Sequence, residues 1–244
     1  MNEVLKAFGR ALRDVWHPKM LALAILPIFA ALAIWAGLAW WYWDTWTQWL
    51  STGIAGSAIS QWLPLHTLEV LAQYSARLLL MFVLAPMILI TAALLAALVE
   101  MPVIVGFVAA HGYPALEGKH GGTVPGSIVN ALVAVSVFIG LWVITLPLWL
   151  TGVMVPVLPV VLSAYLNQRL FRYDALSEHA SAEEYVAIVK TNRGRMYGLG
   201  ALTGLLYFVP LLNLFAPVLS GLSFTHFCLA GLSRLRRAGE SRPL

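Results

Sequence analysis

The stretch Tyr207-Phe208-Val209-Pro210-Leu211-Leu212-Asn213-Leu214-Phe215-Ala216-Pro217 carries the two prolines and the asparagine of a turn. Yet no charged residue lies between Met196 and its start, or between Val218 and Ser233 beyond it. A turn at the surface of a soluble protein is polar; this one is apolar. The two facts agree if the stretch is the apex of a helical hairpin inside a membrane, where irregular backbone survives only against protein or a water-filled cavity. The arms, Met196 to Phe208 and Val218 to Ser233, would reach roughly 20 to 24 Å at ~1.5 Å per residue. A full crossing needs about 30 Å, so the hairpin is expected to enter and leave on one side.

Composition points the same way. The chain is 60% hydrophobic and only 11% charged, with a mean hydropathy of +0.82, which is the composition of a membrane protein. Ten tryptophans suit an interfacial aromatic belt. The single cysteine, Cys228, leaves no disulfide framework and no thiolate metal site. The net charge of +4 suits a membrane surface or an anionic ligand. It does not suggest nucleic acid, because the basic residues flank apolar segments and form no basic stripe.

Residues 3–16 read as an amphipathic helix lying on the membrane. Asn2 is its cap, Val4, Leu5, Phe8, Leu12, Val15 and Trp16 recur at helical spacing, and Lys6, Arg10 and Arg13 occupy the other face. Residues 20–43 contain no charge, long enough to span with some tilt, and Pro27 is expected to kink that helix. The amphipathic prelude and the length of the apolar run favour an uncleaved anchor over a signal peptide. Trp35, Trp40, Trp41, Tyr42, Trp43, Trp46 and Trp49 then crowd the far end as headgroup anchors, and residues 45–68 read as an interfacial segment.

Residues 78–99, bounded by Arg77 and Glu100, form the second span, with an apolar continuation to 110. Glu100 is thereby an acid inside a long apolar run. It is an intramembrane carboxylate candidate or, equally, a snorkelling interfacial residue. The following loop contains His111, Glu117 and His120, whose spacings match no standard metal-ligand motif, and its glycines suggest mobility. Gly112 and Gly118-Lys119 lack the spacing, the following Ser or Thr and the preceding strand of a phosphate-binding loop. No cofactor is expected, and no convergent nucleophile, base or metal set marks an enzyme.

Residues 127–166 repeat the hairpin pattern around the proline-rich stretch Pro147 to Pro159, as in the degenerate repeats of transport folds. Residues 167–195 are the most polar part, with Asp174 among Arg169, Arg172 and Tyr173, where surface pairing is expected. Ser181 and Glu184 form a capping box for a helix from Ala182 towards Arg193. Residues 196–233 are the second hairpin. The resulting fold is an all-α integral membrane protein of two long transmembrane helices, two proline-containing re-entrant hairpins and an interfacial helix, in one membrane domain.

Lys6, Arg10, Arg13 and Lys19 near one end and Arg234, Arg236, Arg237 and Arg242 near the other place both termini in the cytoplasm. Six full crossings would put every loop on the same sides. The first hairpin's leading arm is near spanning length, so arm length argues for re-entry more firmly in the second. The weakly negative far-side segment leaves both insertion orientations open.

The run Arg169-Leu170-Phe171-Arg172-Tyr173-Asp174-Ala175-Leu176 with Glu178 to Ser181, and the stretch from Val209 through Asn213 and Pro217 to Thr225 and His226, resemble the CysZ and etoposide-induced-protein family over nearly the whole chain. The resemblance implies a bacterial inner-membrane protein that takes up sulfate for cysteine synthesis without an ATPase module. Sulfate-handling members resemble one another in a Gly-Leu-Arg motif after the proline that opens the first span; here Pro18 is followed by Lys19, Met20 and Leu21. Lys19 supplies a cation but not the planar fork of arginine.

Helix N-termini at hairpin apices attract anions. The anion-binding candidates are therefore Asn213 at the apex, Arg193 and Arg195 near the hairpin's cytoplasmic mouth, and Lys19. Thr225 and His226 are expected to make interhelical hydrogen bonds. Gly194 with Gly198 and Gly200 with Gly204 have the spacing of close helix packing or of a homo-oligomer contact. Two function classes follow, an anion permease for sulfate or a related small anion, and a non-transporting membrane scaffold or assembly factor.

Overall fold

The computed structural model describes residues 2–55 and 65–240, and all regular structure among them is helical. Part of the expected interfacial segment, residues 56–64, and Arg242 lie outside the described residues. The chain divides into two compact units, residues 1–24 with 98–244, and residues 25–97. Among the described residues, four helices are long and apolar enough to cross a membrane: Pro18–Ile54, Glu69–Gly112, Pro125–Trp149 and Ala216–Gly239.

Helix α1 (Asn2–Asp14) buries Val4, Ala7 and Ala11 and leaves Leu5 and Leu12 exposed. Its small residues allow close packing on the last helix of the chain. The His17 ring accepts the Lys19 amide at 3.3 Å and Pro18 occupies the first position of α2 (Pro18–Ala55), a start suited to a residue without an N–H. Helix α2 continues through the tryptophan cluster, and α3 (Leu65–Gly112) passes through both Arg77 and Glu100. Both outrun the apolar segments read from sequence, because a charged side chain does not interrupt helical hydrogen bonding. Within residues 25–97, the Trp35 indole donates to Thr91 at 2.9 Å, and alanines 31, 72, 76 and 92 are buried.

Helix α4 (Val124–Trp149) is capped by the Thr123 hydroxyl, which accepts the Gly126 amide at 3.1 Å. Gly152, at φ +69°, turns the chain before α5 (Val157–Ser177). The expected capping box opens α6 (Ala182–Leu205), Ser181 and Glu184 each accepting the other's amide. A 3-10 turn (Leu206–Phe208) and the short α7 (Pro210–Asn213) form the apolar apex, and α8 (Ala216–Glu240) follows. The helices flanking this apex run into polar sequence at their outer ends, so they are longer than the uncharged arms.

Of the apolar window of α8, 78% is buried, against 17%, 11% and 6% for the windows of α2, α3 and α4. Helix α8 is thus enclosed by protein and lies in both core clusters. Phe224, Phe227, Cys228 and Leu232 meet α1, α5 and α6, while Val218, Leu222 and Leu229 share the other cluster with Ile104 and Val108 of α3. Ser223 and Thr225, fully buried, donate to the carbonyls of Leu219 (2.6 Å) and Gly221 (2.7 Å) in their own helix.

The loop after α3 is pinned. His120, Gly121 and Gly122 amides donate to the carbonyls of Glu178 (2.9 Å), Ala180 (3.0 Å) and Ser177 (2.8 Å). A Cβ on Gly121 would lie 2.3 Å from the Ala180 oxygen, so this glycine serves close approach where the sequence suggested mobility. Asp174 accepts from Ser127 of α4 and makes no ion pair among the described residues, while Arg172 donates to Gln168 at 2.7 Å. The expected pairing of Asp174 with arginine is therefore corrected: residues two apart on a helix, such as Arg172 and Asp174, do not face each other.

Helices α5 and α6 meet at Gly200, where a Cβ would fall 2.5 Å from the Ala164 oxygen, and near Gly204. Gly194 and Gly198 face open space. The two pairs should respond oppositely. Gly200→Ala forces the helices apart at a cost of about 1–3 kcal/mol, which exceeds the ~1 kcal/mol that alanine gains in a helix interior. Gly198→Ala keeps that gain. Thermal unfolding in detergent should place the two variants on opposite sides of the parent, and a stabilised Gly200→Ala would refute the close contact.

Candidate anion-binding cavity

The last turn of α1 and the bend into α2 face the end of α3 and the middle of α8 across a cavity of about 730 Å3. Arg10 and Arg13, three apart on α1, reach it from the same side. Phe107, Val108 and His111 form the α3 wall, Trp16 and His17 the wall at the bend, and His226 contributes from α8. The Phe107 ring lies 4.8 Å from that of His17 and 4.4 Å from that of His111, centroid to centroid.

Hydrogen bonds fix the orientation of most of these groups. His226 Nε2 donates to the Asp14 carboxylate at 2.8 Å, an interhelical bond of the kind expected for this histidine. Thr225, by contrast, turns to its own helix. His226 Nδ1 is buried and has no partner among the described residues. Arg10 donates to the Tyr113 hydroxyl at 3.1 Å, which donates in turn to the His226 carbonyl at 3.3 Å. Burial pushes the Tyr113 hydroxyl above its ordinary pKa and outweighs the opposing pull of Arg10, so the phenol keeps its proton. His111 Nδ1 donates to the Phe107 carbonyl at 2.9 Å, and Nε2 has no hydrogen-bond partner among the described residues. Asp14 is the one acid on the wall, and His226 occupies it. Among the described residues neither Arg10 nor Arg13 forms an ion pair with a carboxylate.

The sequence-derived candidates fall elsewhere. Asn213 is exposed at the apex, its amide donating to the Val209 carbonyl at 2.8 Å. Arg193 is exposed, and Arg195 donates to Glu3 at 2.7 Å and to Asn192 at 3.1 Å. Lys19 is exposed beside the cavity, whose wall at that point is Pro18. Glu100 is buried at 7% exposure, two helical turns along α3 from Phe107. The structure does not bring these five together. Arg10, Arg13 and His226 were each visible in the sequence, but their meeting depends on α1 folding back on α8, which no local pattern encodes.

Family comparison matches residues 7–217 to the family described as Sulfate transporter CysZ/Etoposide-induced protein 2.4. The chain belongs to this family. No curated protein and no solved structure gives a significant match. The family match takes in the α1 and α3 walls of the cavity but ends before His226 and the arginines of α8.

Those arginines fasten the other helices. Glu3 bridges Arg195 and Arg234. Glu184 accepts from Arg236 (3.0 and 3.1 Å) and from Lys119 (2.7 Å), while Arg236 also donates to the carbonyls of Glu117 and His179. The Arg236 guanidinium is the main cause that holds the Glu184 carboxyl down at about 2, from an ordinary value of 4.5. A depressed carboxylate stabilises the fold above its unfolded pKa and loses that contribution as pH falls through the folded one. The contribution is therefore full above about pH 4.5 and gone near pH 2. Glu184→Gln should cost about 2 kcal/mol at pH 7, a few degrees in Tm, and flatten the Tm profile between pH 4.5 and pH 2. Parallel profiles for parent and variant would show that Glu184 is not the group responsible.

Proposed function

We propose that this protein is an anion permease of the bacterial inner membrane, with sulfate, the substrate in the family's description, as the first candidate and cysteine synthesis as the use of the sulfur. The observation that carries the proposal is the cavity lined by two guanidiniums, Arg10 and Arg13, that form no ion pair among the described residues. Isolated cations lining a concave, partly apolar wall attract an anion and repel a cation. In the topology we propose, α2 and α3 span, α4–α5 and α6–α8 form hairpins that return to their side of entry, and both termini are cytoplasmic. The cavity then faces the cytoplasm as the release vestibule. The burial of α8 along 78% of its apolar window supports the second hairpin by packing its returning arm against the rest of the protein.

Asn213 would supply hydrogen bonding at the apex, and Arg193, Arg195 and Lys19 the cationic surround of the mouth. Glu100 would be the buried acid along the path. The open Gly194 and Gly198 face of α6 is the surface proposed for self-association.

Uptake of labelled sulfate into proteoliposomes tests the proposal. Saturable flux, competed by unlabelled anion, is expected. Arg13→Gln should lower apparent affinity about tenfold or more, the equivalent of one charge-assisted hydrogen bond. Asn213→Leu should reduce the maximal flux if the apex lines the path. Absence of flux above empty liposomes, with the protein folded, would leave the membrane scaffold as the function to pursue.

A further inference from the structure

The cavity is built unlike a site for a bare tetrahedral ion. Such ions are commonly held at a helix N-terminus by free backbone amides. The start of α2 is at the wall, but its amides are used. Pro18 has none, the Lys19 amide donates to His17 Nδ1 at 3.3 Å, and the Met20 amide donates to the His17 carbonyl at 2.8 Å. The positive charge comes instead from the side chains of Arg10 and Arg13, on one side only.

Size argues in the same direction. At about 730 Å3 the cavity has the volume that encloses small organic molecules, whereas at ~30 Å3 per water an inorganic oxyanion would leave most of it filled with solvent. That solvent would lie against Trp16, Phe107 and Val108. Phe107 stands between His17 and His111, its ring tilted by 53° and 32° to theirs, so the three make an angled aromatic patch. Water against such a patch is released at a gain when an apolar body replaces it. Asp14, bonded to His226 Nε2, is the one acid on the wall, so the lining carries two guanidiniums against a single carboxylate.

From this asymmetry we infer that the cavity binds an organic oxyanion, a sulfonate or phosphate ester carried on a ring or comparable apolar body. The anionic head lies on Arg10 and Arg13, and the body lies on the wall of Phe107, His17, His111 and Trp16. This rests on the anion-permease reading and changes the class of anion. Arginine is the side chain suited to the head, since its planar fork meets two oxygens at once.

The test is calorimetric binding of benzenesulfonate, phenyl phosphate and inorganic sulfate to the protein in nanodiscs of zwitterionic lipid. Benzenesulfonate and phenyl phosphate should bind at least tenfold more tightly than sulfate. Phe107→Ala should abolish that preference while leaving sulfate binding unchanged, and Arg13→Gln should weaken all three ligands. Trp16→Ala, at a side chain 75% exposed and so tolerant of truncation, provides the same test if Phe107→Ala does not fold.

Equal or tighter binding of sulfate, or a preference that survives both ring variants, would overturn the inference. So would loss of aryl-anion binding in nanodiscs containing phosphatidylglycerol, since the cavity would then be a lipid headgroup site. Labelled-sulfate flux separates the two proposals: flux that benzenesulfonate does not inhibit leaves the permease standing and removes the organic ligand, whereas absence of both flux and binding removes both.

Discussion

Helix α8 is surrounded by protein, and a surrounded helix must satisfy its polar side chains without water. Ser223 and Thr225 do so by donating to carbonyls one turn back, which needs no partner from another helix. His226 instead bonds across to Asp14 on α1 through Nε2. The amphipathic first helix is thereby fixed to the enclosed one by both an apolar stripe and a polar bond. Once α1 is held there, Arg10 and Arg13 have to project over the end of α3, and the cavity follows from that placement.

The far end of α8 repeats the arrangement with charges. Glu3 gathers Arg195 and Arg234, and Glu184 gathers Lys119 and Arg236. These are half-exposed bonds of modest individual worth where the side chain meets solvent, as at Lys119, which is 48% exposed. Arg236 differs, because it is only 17% exposed and its guanidinium joins two loop carbonyls and a carboxylate. It ties the turn between α5 and α6 to the loop after α3, the same two segments joined by the backbone bonds of residues 120–122. The glycines there permit the approach, and Arg236 holds it.

The helical class, the amphipathic α1, the capping box and the close approach at Gly200 could be read from sequence because each depends on residues within a few positions of one another. Helix ends were harder to read. Charge marks a change of surroundings, not a break in hydrogen bonding, so Arg77 and Glu100 mark where an apolar run ends while α3 continues past both. Asp174 differs from its sequence expectation for a related reason: its neighbours in sequence are not its neighbours in space, and its partner is Ser127 of α4. The cavity was the least legible feature. Its parts come from α1, the bend at His17, α3 and α8, and the pairing of Asp14 with His226 joins residues from nearly opposite ends of the chain.

The departure at Lys19 then has a structural counterpart. Where an arginine after the opening proline would present a guanidinium at the start of α2, this chain has the exposed Lys19, with its amide donating to the His17 ring. The guanidiniums lie instead on α1, one of them tied to Tyr113 and through it to α8. The cations of α1 and the rings of His17, Phe107 and His111 line the same cavity. A terminus that grips with backbone amides fixes a small ion closely. Two side chains facing a ring surface across a wide cavity fix only one end of a ligand, and leave the remainder of the volume to select its body.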